Sequence, residues 1–243
     1  MPPSIRVSPG DWGDVGPLEN VETVASSAAD SLLPGFVGAI ELRAVGGDAP
    51  PRALNRLSAA GEYVVELNIH GPVWARLAYQ FAHEFCHVLA EATTFEWDRF
   101  SWFEEALCET ASLFALRRMA QSWAASPPFP YWHDYAPHLA SYANHRIADA
   151  AHKLPAGEAL ATWLANALPT LETDLGRRDE QAIVANELLP IFEALPGAWH
   201  AVRSLHDAPR PDQGSIEEHL AGWARVAPAA HRHVIRRIEG ALL

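Results

Sequence analysis

The sequence predicts an α+β protein with its strands in the first seventy residues and helices almost everywhere after them. Three observations lead there. Runs rich in β-formers with partial alternation fall at residues 4–7, 37–45 and 63–69. From residue 71 onward, apolar residues recur at helical spacing. The 243 residues are 49% hydrophobic and 20% charged with nine Trp, a composition that buries a sizeable core and excludes wholesale disorder.

The elements follow in order. Residues 4–7 read as a short strand. Residues 17–33 carry a helical pattern that Pro34 and Gly35 stop. Strands are expected at 37–45 and 63–69, with the loop GGDAPPR and a short helix over 53–60 between them. Pro72 suits a first helical turn, and about five turns of helix follow it. The next helix opens at Ser101 with Glu104 three residues on, the spacing of a capping box, and runs to about residue 122. After the link SPPFPYW, helices are expected near 134–151, 157–167, 179–194, 197–206, 215–225 and 229–242. Ser215 and Glu218 repeat the capping spacing. The link is the expected boundary between a part spanning 1–124 and a helical part spanning 125–243.

Charge and cysteine usage narrow the partners. Eighteen basic against 30 acidic residues give −12, which argues against nucleic acid as a partner. No apolar run approaches the ~20 residues of a membrane-spanning helix, and the first residues lack a basic-then-apolar leader. Two cysteines are too few for a disulfide scaffold, so a reducing, cytoplasmic setting is expected.

The chemistry lies in His83-Glu84-Phe85-Cys86-His87, an H-E-x-x-H pentapeptide in mid-helix. Histidines at i and i+4 share a face and reach one metal ion, while the glutamate beside the first aims at a metal-bound water as general base. A catalytic zinc of this kind needs a third protein ligand and an open position. The next helix offers Glu104, Glu105 and Glu109, and residues 91–100 are long enough to reverse the chain. Cys86 and Cys108 read as small buried hydrophobes, and Cys86, three residues past His83, is discounted as a ligand.

H-E-x-x-H followed by W-x-x-E-A-x-x-E, as in Trp102, Glu105, Ala106 and Glu109, resembles the gluzincin zinc metallopeptidases, the thermolysin-like and minigluzincin group. The resemblance covers roughly residues 60–120. It implies Zn2+ as cofactor, Glu105 as third ligand and Glu109 as the outer carboxylate on a ligand histidine, His83 being its expected target. Glu105 and Glu109 share a helix face, and Glu104 lies about 100° away. The resemblance also implies that the strand at 63–69 is a sheet edge along which an extended peptide binds, with Asn68 placed to hold substrate backbone. It further implies a downstream Tyr or His for the oxyanion, for which Tyr142, Tyr135 and His145 are candidates, in that order.

The expected function is zinc-dependent hydrolysis of peptide bonds in a peptide or protein substrate, with Glu84 moving the proton. The alternatives are a non-catalytic zinc module on the same scaffold and a zinc amidohydrolase acting on a small or modified peptide.

Overall fold

A computed structural model describes residues 4–91, 98–195 and 197–243, and its architecture is α+β. Strands β1 (Ser4–Val7), β2 (Ala39–Ala44), β3 (Arg52–Leu57) and β4 (Tyr63–Leu67) form one four-stranded sheet in the order β1-β2-β4-β3. β1, β2 and β4 run parallel, and helix α1 (Leu18–Leu32) makes the crossover that β1 and β2 need. β3 pairs antiparallel with β4.

Two expectations about the sheet fail here. Residues 53–60 are not a helix, because β3 takes their first half, and the strands at the edges are β1 and β3 while β4 is interior. Val64, Val65 and Leu67 are buried because β4 lies between β2 and β3, as an interior strand with apolar residues on both faces does. β3 itself is mostly exposed. Its extended form comes from tertiary pairing, including the ion pair of Arg52 Nε with Glu66 Oε2 at 2.7 Å.

The helices then wrap one long member. α2 (Trp74–Leu89) and α3 (Ser101–Ala125) pack on each other, and α3 also packs against α1, α4 (Ala136–Ala148) and α6 (Arg178–Ala194). Residues 101–116 of α3 are buried all round, as expected for a helix surrounded on every side. Residues 92–97, most of the expected reversal between α2 and α3, lie outside the described residues.

The N-terminus of α3 departs from the expected capping box. Phe100 is its N-cap residue, and Ser101 turns back to Asp98, whose N–H it accepts at 2.9 Å. Asp98 Oδ1 in turn accepts the Phe100 N–H at 2.8 Å. With the first turn served by Asp98, Glu104 is released for another use.

The remaining elements are α5 (Leu160–Leu171), α7 (Ile216–Val226) and α8 (Arg232–Leu242). The capping box of Ser215 and Glu218 is present. Residues 197–206 are not an α-helix but two 3₁₀ turns, Ala198–His200 and Val202–Ser204, entered through Gly197 at φ 73°. Among the described residues no helix is long and apolar enough to cross a membrane.

Candidate metal centre and its cleft

His83 and His87 lie one turn apart on α2 with ring centroids 5.4 Å apart. Gln80, about one turn before His83 and two before His87, fixes α2 to the end of β4. Its side chain accepts the Asn68 N–H at 3.1 Å and donates to the Asn68 carbonyl at 3.3 Å. Across from the histidines stands α3. His83 Nε2 lies 3.2 Å from Glu105 Oε2, and His87 Nε2 lies 3.7 Å from Glu105 Oε1. Glu105 is only 3% exposed, so both imidazoles meet a carboxylate that water hardly reaches.

Glu104 holds the other side of His87. His87 Nδ1 donates to Glu104 Oε1 at 2.8 Å, which leaves Nε2 turned toward Glu105. Glu104 Oε2 is 2.8 Å from His206 Nε2. Burial alone would raise the Glu104 carboxyl, but its bonds to His206 and His87 and their charges hold it down at about 2. Burial likewise opposes charge on His87, yet the Glu104 hydrogen bond and the charges of Glu104, Glu105 and Glu84 push its pKa up to about 10.

These residues fit a zinc ion. Ligand atoms around a tetrahedral ion with bonds near 2.0–2.1 Å stand about 3.3 Å apart. Glu105 meets the two imidazoles at such spacings through different oxygens, Oε2 standing 3.2 Å from His83 Nε2 and Oε1 3.7 Å from His87 Nε2. The outer bond from His87 to Glu104 is the kind that orients a ligating imidazole. Three carboxylates around two histidines also make a place where a cation is favoured, and the elevated pKa of His87 is the same preference expressed through a proton.

Cys108 adds a donor that sequence reasoning set aside. Its Sγ and one nitrogen each from His83 and His87 lie within 4.8 Å of one another. Cys108 is fully buried, and burial, the neighbouring Cys86 thiol and the charges of Glu104 and Glu105 push its thiol well above the usual range.

Two adjoining cavities of about 410 and 400 Å³ open on the cluster, with His83, Glu84, Glu105, Arg178, Pro50 and Pro51 lining both. The second runs along β3 at Arg52, Ala53, Leu54 and Asn55. Glu84 Oε2 accepts the Ala53 N–H at 2.7 Å, so the edge strand and the glutamate brace each other. Arg178, the first residue of α6, donates to Glu105 Oε2 and is 59% exposed.

Several expected site residues stand elsewhere. Glu109 does not reach His83. It accepts from the Tyr79 hydroxyl and, at 3.2 Å, from Arg146 Nη2, whose guanidinium lies 5.3 Å from the Tyr79 ring centre. The carboxylate hydrogen-bonded to the far side of one of the two histidines is Glu104, on His87. Asn68 is spent on the loop before β3, donating from Nδ2 to Gly47 O at 3.0 Å and Ala49 O at 2.8 Å. It therefore supports the edge strand from behind rather than facing a peptide along it.

Tyr135, Tyr142 and His145 line a separate 550 Å³ cleft with Pro72 and Val73 at the start of α2. The Tyr135 hydroxyl accepts the Ala75 N–H at 3.2 Å, which serves an open N–H of the first turn of α2. Ala75 precedes His83 by eight residues, about 12 Å along a helix, which sets Tyr135 away from the histidines, whereas Tyr142 packs on Tyr79, one turn before His83, with ring centroids 5.4 Å apart. Arg178 and His206 carry no motif that sequence reasoning could have used. Glu104 could have been found from Asp98-x-x-Ser101, which offers the helix another cap. No protein-family profile, curated protein or solved structure matches the chain.

Proposed function

We propose that the protein is a zinc-dependent peptidase of the gluzincin type. The observation that carries this reading is the convergence of His83, His87 and Glu105 in a cleft that also holds Glu84 and runs along an edge strand. His83, His87 and Glu105 would hold the ion. When bound, zinc supplies Lewis-acid polarisation of a carbonyl and lowers the pKa of a water. The chain's residues do the rest. β3 offers its outer edge to an extended peptide, and Glu84 takes a proton from the attacking water and returns it to the leaving amine. Glu104, backed by His206, keeps the His87 ring in place. In this reading residues 1–124 form the catalytic part, and residues 125–243 bring Arg146, Arg178 and His206 to its walls.

The test is Glu84→Gln with zinc content, fold and peptide cleavage measured together. Zinc and fold are expected to be retained while turnover falls by about 10²–10⁴ and the wild-type rate is lost with chelator. Wild-type turnover in E84Q, or a purified protein that binds no zinc, sinks the reading.

Cys108 favours a second reading, a closed zinc site without turnover, since structural zinc takes four protein ligands. Cobalt substitution separates the two. A thiolate-to-cobalt absorption band lost in Cys108→Ala, together with a large loss of metal affinity, supports the closed site. No such band and an unchanged affinity support the open one.

A further inference from the structure

We propose that Arg178 is the group that stabilises the oxyanion of the tetrahedral intermediate, the part for which the family resemblance offered Tyr142, Tyr135 or His145 as candidates. This inference rests on the peptidase reading and adds a catalytic residue to it. Of the six residues that line both cavities, Arg178 is the only permanent cation. It therefore stands where the two cavities adjoin, beside Glu84 and Glu105, and a peptide occupying both would cross at that point. Its Nη1 donates to Glu105 Oε2, which is itself 3.2 Å from His83 Nε2, so the guanidinium is already at the candidate centre. Among the described residues its other hydrogen-bond partner is Gln181 Oε1 at 3.5 Å, and the Glu84 carboxylate is near enough to act on its charge.

A guanidinium carries five N–H donors, and these two contacts leave others for a substrate oxygen. Glu105 has lone pairs enough to accept from Arg178 and still bind an ion. The side chain is 59% exposed, so it faces the solvent-filled cleft rather than the core. The three aromatic and histidine candidates all line the other cleft.

The step balances without any further reactant. As the water oxygen bonds to the carbonyl carbon, the carbonyl π pair moves onto its oxygen, and Glu84 takes the proton released. Arg178 donates a hydrogen bond to that negative oxygen. On collapse the pair re-forms the carbonyl, the C–N bond breaks, and the proton on Glu84 passes to the amine.

The experiment compares zinc-loaded wild type, Arg178→Met and Arg178→Lys. Measured are zinc stoichiometry, kcat and KM on one peptide, and the affinities of an N-phosphoryl dipeptide and of the same dipeptide without the phosphoryl group. In R178M, kcat is expected to fall by about 10²–10³ with KM within about threefold. Affinity for the tetrahedral phosphoryl anion should fall by a like factor, affinity for the plain dipeptide by less than about threefold, and zinc should stay bound. R178K should recover part of the loss. Equal losses for both dipeptides, a loss that follows lost zinc, no change at all, or a wild type that ignores the phosphoryl probe each overturn the proposal. A wild type that cleaves no peptide sinks the hydrolase reading instead, whereas cleavage unchanged in R178M sinks Arg178 alone.

Discussion

Replacing Glu104 by Gln is expected to weaken zinc binding by about 10- to 100-fold. Glu104 is 1% exposed, and its oxygens lie 2.8 Å from both His87 Nδ1 and His206 Nε2. A glutamine keeps one acceptor and turns the other into a donor, so one of the two imidazoles must meet an N–H. If that one is His87, its proton moves to Nε2, the nitrogen needed for the ion. If it is His206, the bond to His87 survives but loses its charge assistance. A charge-assisted bond between buried groups is worth roughly 1.5–3 kcal/mol, and at about 1.36 kcal/mol per decade this gives some 10- to 150-fold. The assay is competition for zinc with a chromophoric chelator, with circular dichroism to confirm the fold. Glu109→Gln is the contrast: Glu109 faces Tyr79 and Arg146, so zinc affinity should stay within about threefold. Wild-type affinity in E104Q, with the loss appearing in E109Q, refutes the assignment of the outer carboxylate.

Two further outcomes are expected. Ala53→Pro removes the N–H that Glu84 Oε2 accepts at 2.7 Å, so kcat/KM should drop by about tenfold or more while zinc stays bound, and full activity would show that the edge strand does not position Glu84. Glu41 in β2 is bonded by Arg43 Nη2 at 2.8 Å and by the Ser8 hydroxyl at 2.6 Å, with Arg6 nearby, and these hold its carboxyl at about 2. A folded pKa below the unfolded one stabilises the fold above about pH 4.5 and is lost as pH falls toward 2. Both arginines are about half in solvent, so screening leaves about 1 kcal/mol, and Glu41→Gln should flatten acid denaturation over that window by this amount.

How far the sequence could be read depended on whether the cause was local. The periodicity of α2 and the i, i+4 spacing of His83 and His87 are properties of one helix, and both are present in the structure. The edge strand was not legible. Residues 52–57 lack clean alternation and are mostly exposed, so what makes them a strand is Glu66 across from Arg52 and Glu84 beneath Ala53. Position 63–69 looked like an edge only by resemblance; its consecutive valines already fitted an interior strand. The capping box at Ser101 matched a pattern that Asp98, three residues upstream, satisfies instead.

That Glu104 bonds a histidine while Glu109 bonds Tyr79 has a geometric cause. α2 and α3 run antiparallel: moving up α3 from Glu104 to Glu105 to Glu109, the partners move down α2 from His87 to His83 to Tyr79. Ser112 continues the ladder by donating from Oγ to the Tyr79 carbonyl at 2.9 Å. Two antiparallel helices in contact pair i+4 on one with i−4 on the other, since both advance about 6 Å per four residues. A carboxylate four residues after Glu105 therefore meets the residue four before His83, and that residue is Tyr79. Sharing a face with Glu105 places Glu109 against α2 but one turn beyond the histidines. Glu104, a step of about 100° away, reaches around to His87 and hands its second oxygen to His206. The connection between the two helices is short, so their antiparallel sense was open to inference, and with it this register. The arrival of His206 and Arg178 from more than seventy residues downstream was not, because it depends on how α6 and the 3₁₀ turns after it settle on α3.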